Sequence, residues 1–308
     1  MEDTVVHDAL IIGGGPAGLS AALPIVRQQF SAIIFDEGKS PIHPTKKLHL
    51  IPSWDHRDKD EFAASAKENI LARYDTLSFT CTTIEKVRKI NDSNFEAVDT
   101  KGFKWIGKKI VLATGVKYIF PDIDGYASCW GTGIAFEDRG VDSVGVIAIG
   151  KFGTVEMALR AATDFKRFAN TVLIYTNGSE SLSEKLISAI INPQKIKVCS
   201  QRIKRLEKSG SGSEVTVYLE DGTAHVEGFI GHTPPTKSNG SFVEDLGLEM
   251  ELNEEVGVKL YSPLNHTNLH GVFVAGDICS EWKIFSHAFY LGNMAGAGVA
   301  EELLAESD

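Results

Sequence analysis

Several things are missing from this chain of 308 residues, and each absence removes a class of function. No run of eighteen apolar residues occurs, so no membrane-spanning helix is expected. The opening Met-Glu-Asp is not the basic-then-apolar start of a secretory leader. Positive charge is in short supply: 31 Lys and Arg stand against 41 Asp and Glu, and a net charge of −10 argues against nucleic acid or an anionic membrane as partner. Cysteine is scarce as well. Cys81, Cys129, Cys199 and Cys279 lie far apart, with no Cys-x-x-Cys, as in a reduced chain lacking a disulfide framework or a metal site of familiar spacing. The expected setting is therefore cytoplasmic, with no metal, no nucleic acid and no membrane.

What is present is organised around Asp8 to Ser20. The apolar run Ala9–Ile12 predicts a buried parallel strand, and Ala17–Phe30 the helix after it. Between them Gly13-x-Gly15-x-x-Gly18, with Pro16 and Ala17 inside it, is a dinucleotide turn. Its first glycine permits the tight bend, the second admits a pyrophosphate, and the third lets helix and strand close up. The helix N-terminus then faces the phosphates with unpaired N–H groups. A second strand, Ala32–Phe35, ends in Asp36-Glu37, where a carboxylate would take ribose hydroxyls.

Near the other end, Gly271-Val-Phe-Val-Ala-Gly276-Asp277 is a short buried strand closed by Gly-Asp, followed by a small-residue helix over 288–304. With Ile110-Val-Leu-Ala-Thr114-Gly115, these motifs resemble, in order and spacing, the flavoproteins with two dinucleotide-binding domains. The resemblance implies FAD. It implies that Asp277 binds the ribityl chain and that the helix behind it, entered through Ile284, points at the flavin pyrimidine. Thr82 to Ile84 would pass the adenine. The polar, proline-broken segment 39–60 would cross the flavin, carrying His43, His49, Trp54, Asp55 and His56. His49, between Leu48 and Leu50, is expected to be buried against a neighbour.

Elsewhere the pattern predicts a helix over 58–74, with Phe62, Ala66, Ile70 and Tyr74 on one face. It predicts a strand over 77–87 and a hairpin of 95–98 with 104–106. A second βαβ unit reads Val144–Ile149, Val155–Phe168 and Thr171–Tyr175, but its turn is Gly150-Lys-Phe152-Gly-Thr-Val155. Phe152 stands where a glycine should admit the pyrophosphate. Tyr175-Thr-Asn-Gly178 offers neither an acid for a ribose diol nor an arginine cluster for a 2′-phosphate. NAD(P)H is not expected as a normal cofactor, and this domain reads as scaffold. A helix over 183–191, strands near 196–200, 214–219 and 228–231, and a short strand over 257–260 complete the prediction. The fold class is α/β: two Rossmann-like domains, the smaller inserted into the FAD domain, with boundaries 1–116, 117–233 and 234–308.

Order and size resemble the low-molecular-weight thioredoxin reductases. His49 to Arg57, Trp130-Gly131, Glu137-Asp-Arg139, Tyr175 to Gly178 and Lys283 to Gly298 look closer to the gliotoxin-type fungal dithiol oxidases. Those relatives carry Cys-x-x-Cys between the Trp-Gly and the Glu-Asp-Arg. Here Ser128-Cys129-Trp130-Gly-Thr-Gly-Ile-Ala-Phe-Glu-Asp-Arg139 lacks it, and a disulfide relay needs one thiol to attack and another to resolve. The expectation is an FAD-dependent oxidase or dehydrogenase of a small molecule in specialised metabolism, with O2 as acceptor. His287 is the first candidate for a base or a flavin-stabilising group and His49 the second. Trp54, Cys129, Trp130 and Trp282 would line the substrate pocket. The alternatives are an FAD-containing cyclase or isomerase without net redox, and an inactive flavin-stabilised binding protein. The resemblance also implies a homodimer.

Overall fold

The structure, a computed structural model, describes residues 5–38, 47–134, 140–210, 212–253 and 257–307. The chain divides into two compact units. Among the described residues, one comprises 5–38, 47–117 and those from 236 to 307, and the other those from 118 to 235.

The first unit opens with β1 (Val6–Ile12), α1 (Pro16–Arg27) and β2 (Ala32–Phe35). All four residues of β2 are buried, as in a parallel strand covered on both faces. Asp8 ties the two strands at their start: its carboxylate accepts from Ser31 N at 2.8 Å and from Lys108 Nζ at 2.7 Å. Helix α2 (Lys59–Leu71) is capped by Asp58, whose side chain accepts from the Asp60 and Glu61 amides. Ile70 is buried on the face predicted for it, with Ala66 and Tyr74 packed beside the core. The strand expected over 77–87 is two strands, β3 (Leu77–Thr80) and β4 (Ile84–Lys89). The chain bends between them where Thr82 Oγ1 donates to the buried Asp99 at 2.8 Å. β5 (Phe95–Asp99) and β6 (Lys104–Leu112) form the expected hairpin, with Val98 opposite Lys104, and β7 (Val116–Tyr118) follows.

In the second unit come α3 (Tyr126–Cys129), β8 (Val141–Ile147), a 3₁₀ turn over Gly150–Phe152, α4 (Val155–Phe165), β9 (Ala169–Tyr175), α5 (Glu180–Ala189) and β10 (Ile196–Cys199). A three-stranded antiparallel sheet is made by β11 (Ile203–Lys208), β12 (Val215–Leu219) and β13 (Ala224–Glu227), and β14 is Ile230–Gly231. The parallel sheet runs β10-β9-β8-β14. β11 escapes the sequence pattern because charged residues dominate it, and β13 because only its last residue, Glu227, is buried. Only Ile203 and Leu206 of β11 turn into the core.

Back in the first unit, β15 (Thr236–Ser238) pairs with β7, and α6 (Phe242–Asp245), β16 (Val272–Val274) and α7 (Phe285–Ala305) follow. The strand expected over 257–260 is reduced to one bridge, Met250 with Val258. The large sheet runs β3-β2-β1-β6-β5-β4, and β6 changes neighbour along its length. Its first half pairs antiparallel with β5 and its second half parallel with β16. Lys109, buried on β6, ion-pairs with Glu302 at 2.8 Å and with Glu306, anchoring the end of α7.

Helices α1 and α7 approach closely. A side chain on Gly292 would run into the Ala17 carbonyl oxygen, and one on Gly296 into that of Ala21. Gly296→Val is therefore expected to destabilise the first unit by about 3 kcal/mol or more, since backbone atoms cannot yield as a flexible side chain can. Urea denaturation followed by flavin release and by circular dichroism checks this. A midpoint equal to that of the parent would contradict the close packing.

Candidate functional site

Neighbours β2, β1, β6 and β16 are parallel, so their carboxyl ends share one edge of the sheet. In an open sheet that edge, where the chain direction switches on either side of β1, is where ligands bind. Gly13 follows β1 with φ +109°, and a side chain there would strike the Ala113 carbonyl at the end of β6. A Cβ on Gly14 would lie 2.6 Å from Asp36 at the end of β2. Gly276, after β16, has φ +80°, and its Cβ would sit 2.9 Å from that of Ala17. Gly18 packs against the Gly13 carbonyl. The exception is Gly15, which faces open space.

Gly15 is also the N-cap of α1 and has no capping side chain, while Pro16 has no N–H. The first helical bond runs from Leu19 N to Gly15 O, so the Ala17 and Gly18 amides precede it. Thr114 Oγ1 is buried with no partner among the described residues. Asp277 is half-buried, and burial pushes its carboxyl above the ordinary range, against the nearby charges of Lys283 and His287. An open helix N-terminus, an orphaned hydroxyl and a desolvated carboxylate at converging strand ends fit a dinucleotide with a polyol arm.

The other expected cofactor residues divide. Gly115 lies at the same edge, where its carbonyl and that of Thr114 accept from Asn239 at 3.3 and 3.2 Å. Asp36 is half-buried and accepts from Gly38 N at 3.2 Å, whereas exposed Glu37 accepts from Thr83 Oγ1 at 2.8 Å. Ile84 packs its side chain into the core with Phe35 and Ile33, so only its main chain is left for an adenine. Beside Asp277 opens a cleft of about 790 Å³, lined in part by Lys117, Lys237, Glu244, Gly257 and Lys283.

The expected catalytic residues meet through aromatic packing. Trp54 stacks edge-on against Phe62 of α2 at 5.2 Å, and Phe62 lies 5.1 Å from Phe285 in the first turn of α7. The segment carrying His49 is thus seated beside the helix carrying His287. His49 is half-buried, with its ring edge-on to His56 at 4.9 Å. Ligand atoms of His49, Asp55 and His56 lie within 4.8 Å of one another, but Asp55 is engaged by Leu50 N at 2.9 Å and His56 at 3.6 Å. His287 Nδ1 lies 3.0 Å from Ser280 Oγ. Ser280 is nine-tenths buried, and sequence reasoning missed it because nothing in a lone serine shows which ring it faces. Ile284 caps α7, and Trp282 is 67% exposed.

In the second unit two expectations need correction. Cys129, expected to line a pocket, is 0% exposed and enclosed by Tyr126, Ile134, Leu206 and Val215, and burial raises its thiol. A short helical turn places it inward. Phe152 turns into the core beside Val155 and Leu159 instead of projecting outward. Trp130 is half-buried among Tyr118, Phe120 and Tyr126, and its indole nitrogen is enclosed without a partner among the described residues. Thr154 caps α4 with its own hydroxyl, and Asn177 Oδ1 accepts from Ile203 N at 2.9 Å. Arg202, remote in sequence, packs against Gly178 after β9, a basic side chain that the local motif does not show. Glu137-Asp138-Arg139 and His43 lie outside the described residues.

Comparison with known proteins places these features in a wider setting. The family model described as pyridine nucleotide-disulphide oxidoreductase matches residues 7–292. The chain is 39% identical over 314 residues to the thioredoxin reductase tcpT of Claviceps purpurea, covering 99% of this chain and 97% of that one. It is 36% identical over 308 residues to the thioredoxin reductase aclD of Aspergillus oryzae, covering 97% and 96%. Among solved structures, an oxidoreductase from Agrobacterium tumefaciens superposes with a TM-score of 0.83 at 24% identity, over 98% and 99% of the two chains, a likeness of fold.

His232, buried in the second unit, receives a 2.6 Å contact from the Tyr126 hydroxyl at Nδ1, and burial lowers its pKa to about 4. Its unfolded value is about 6.5. The unfolded chain then binds the extra proton between pH 6.5 and 4, so this contribution is full above 6.5 and lost as pH falls to about 4, some 3 kcal/mol in all. His232→Gln is expected to flatten the stability–pH curve in that window. Parallel curves in chemical denaturation would show that His232 carries none of it.

Proposed function

The chain belongs to the pyridine nucleotide-disulphide oxidoreductase family, and from that premise we propose that it is an FAD-dependent oxidase of a small organic molecule of specialised metabolism, without a dithiol relay. FAD is the family's cofactor, and the cradle around Gly13 to Gly18 fits it. In this reading Gly13, Gly15, Pro16, Ala17 and Gly18 bind the pyrophosphate and Asp36, with Glu37 beside it, the adenosine ribose. Thr114 and Gly115 close the edge. Gly276 and Asp277 hold the ribityl chain, and the start of α7 at Ile284 faces the pyrimidine.

The observation that carries the proposal is the state of the sulfur. All four cysteines are free, and Cys129 and Cys279 are each enclosed in the core of their own unit. Burial pushes the Cys279 thiol up to about 12, and its Sγ donates to the Gly276 carbonyl at 3.4 Å. Neither is poised as the thiolate that exchange requires. With an FAD cradle and no exchangeable pair, the simplest chemistry is direct dehydrogenation. Bound FAD supplies a two-electron acceptor for hydride. His287 takes the proton released from the substrate, with His49 on the neighbouring segment as second candidate. Trp54 and Trp282 wall the substrate, and the electrons leave with dioxygen as hydrogen peroxide. A homodimer in the cytoplasm is the proposed setting.

Anaerobic photometry tests this. A candidate substrate should bleach the oxidised flavin, NADPH and NADH should not, and admitting air should restore colour with one peroxide per turnover. Conversion without bleaching would sink the oxidase reading and favour an acid–base cyclase or isomerase, and bleaching by NADPH would restore a nicotinamide-dependent reductase. His287→Gln should slow flavin reduction about 100-fold while leaving flavin bound. Asp277→Ala should instead lose flavin on dialysis.

A further inference from the structure

The Ser280 hydroxyl has three polar contacts and one hydrogen. Trp282 N lies 2.9 Å from Oγ and can only donate to it. Trp282 O lies 3.2 Å from Oγ and can only accept from it. His287 Nδ1 lies 3.0 Å away and does either, depending on where the ring carries its hydrogen. A hydroxyl offers one donor and two acceptor lone pairs. One assignment alone makes all three contacts hydrogen bonds: Trp282 N–H and His287 Nδ1–H donate to Oγ, and Oγ–H donates to Trp282 O. Placing the hydroxyl hydrogen on Nδ1 would leave the Trp282 carbonyl facing an oxygen with nothing to give. Ser280 is nine-tenths buried, so its single hydroxyl hydrogen is committed within this turn and not to solvent.

From this balance we infer that Ser280 is a positioning residue that fixes neutral His287 as the Nδ1–H tautomer, leaving the Nε2 lone pair free. The partner of one ring nitrogen sets what the other can do. Neutral His287 is then able to accept a proton at Nε2 and unable to donate from it. Only after accepting does it become a cation with a hydrogen on each nitrogen. The inference rests on the proposed function for its catalytic consequence. There the substrate's C–H leaves as hydride to FAD, its O–H or N–H proton passes to Nε2, and that proton later goes to solvent. It selects the base over the alternative in which a neutral ring donates toward the flavin. Ser280 touches no reacting atom in this scheme. Asp277 and Lys283 lie near the same ring; Lys283 is anchored by the Asp277 carbonyl at 2.6 Å and by that of Ser280, so both charges are placed by the turn that places Ser280.

The experiment is ¹⁵N-histidine NMR of the holoprotein with its histidine rings neutral, with His287→Gln identifying the resonance. The expected result is a neutral ring protonated at Nδ1. Ser280→Ala should shift it toward the Nε2–H form and slow anaerobic flavin reduction about tenfold, and Ser280→Thr should restore both. A parent ring protonated at Nε2, or a tautomer indifferent to Ser280→Ala, overturns the inference; the parent spectrum decides even if the alanine variant fails to fold. If the tautomer responds while His287→Gln reduces flavin at the parental rate, the Ser280 assignment stands and the proposed base falls.

Discussion

The carbonyl of Ala113 occupies the place where any side chain on Gly13 would have to go. That contact fixes how near the β1–α1 turn lies to the end of β6, and the rest of the first unit is arranged about it. Gly276 repeats the device where β16 ends, against Ala17, and Gly292 and Gly296 repeat it where α7 crosses α1. Backbone meets backbone at Gly13, Gly292 and Gly296, and the Ala17 methyl faces Gly276, so none of these contacts can be relaxed by a rotamer change. The result is a rigid edge on which the open N-terminus of α1, the Thr114 hydroxyl and Asp277 converge, although they come from widely separated stretches of the sequence. Gly15, alone in that turn in facing open space, marks where the ligand belongs.

This part of the molecule is legible in the sequence because its constraints are absolute. A glycine that must have no Cβ and an apolar strand that must be buried on both faces leave marks in residue identity. Elements whose constraint is partial are harder to read. β11 needs only Ile203 and Leu206 to face inward, and a run of Lys, Arg and Glu hides them. The break between β3 and β4 comes from Thr82 bonding Asp99, seventeen residues on, a tertiary contact with no local signature. The same holds at the site. Asp277 and His287 stand in recognisable motifs, whereas Ser280 and Asn239 act through partners that only folding brings to them. Cys129, expected in the substrate pocket beside Trp130-Gly131, is enclosed instead, because the pattern does not show that a four-residue helix turns it inward.

The second unit shows the same topology with its chemistry redirected. The turn after β8 is filled by Phe152 from within, and Thr154 spends its hydroxyl on the amide of Met157. Polar groups remain, but they face one another. Tyr175 donates to Glu227, whose carboxyl burial holds above its ordinary range, and Tyr126 contacts His232. Such pairs cost stability unless satisfied, and Glu227 Oε2 and His232 Nε2 are left without a hydrogen bond among the described residues.

A thiol relay and direct hydride transfer assisted by a base would solve the same problem, moving two electrons and a proton away from the substrate, with different demands. The relay needs two sulfurs close together, at least one easily ionised, and here both candidates are buried where ionisation is disfavoured. A base needs one lone pair aimed by one partner. Ser280 supplies that partner from a buried turn whose other bonds run to its own neighbour Trp282, so its geometry depends on nothing distant. Under the proposed function, the lack of an exchangeable thiol pair removes a route without removing the means of oxidation, and proton transfer falls to a ring that the first turn of α7 places beside Asp277.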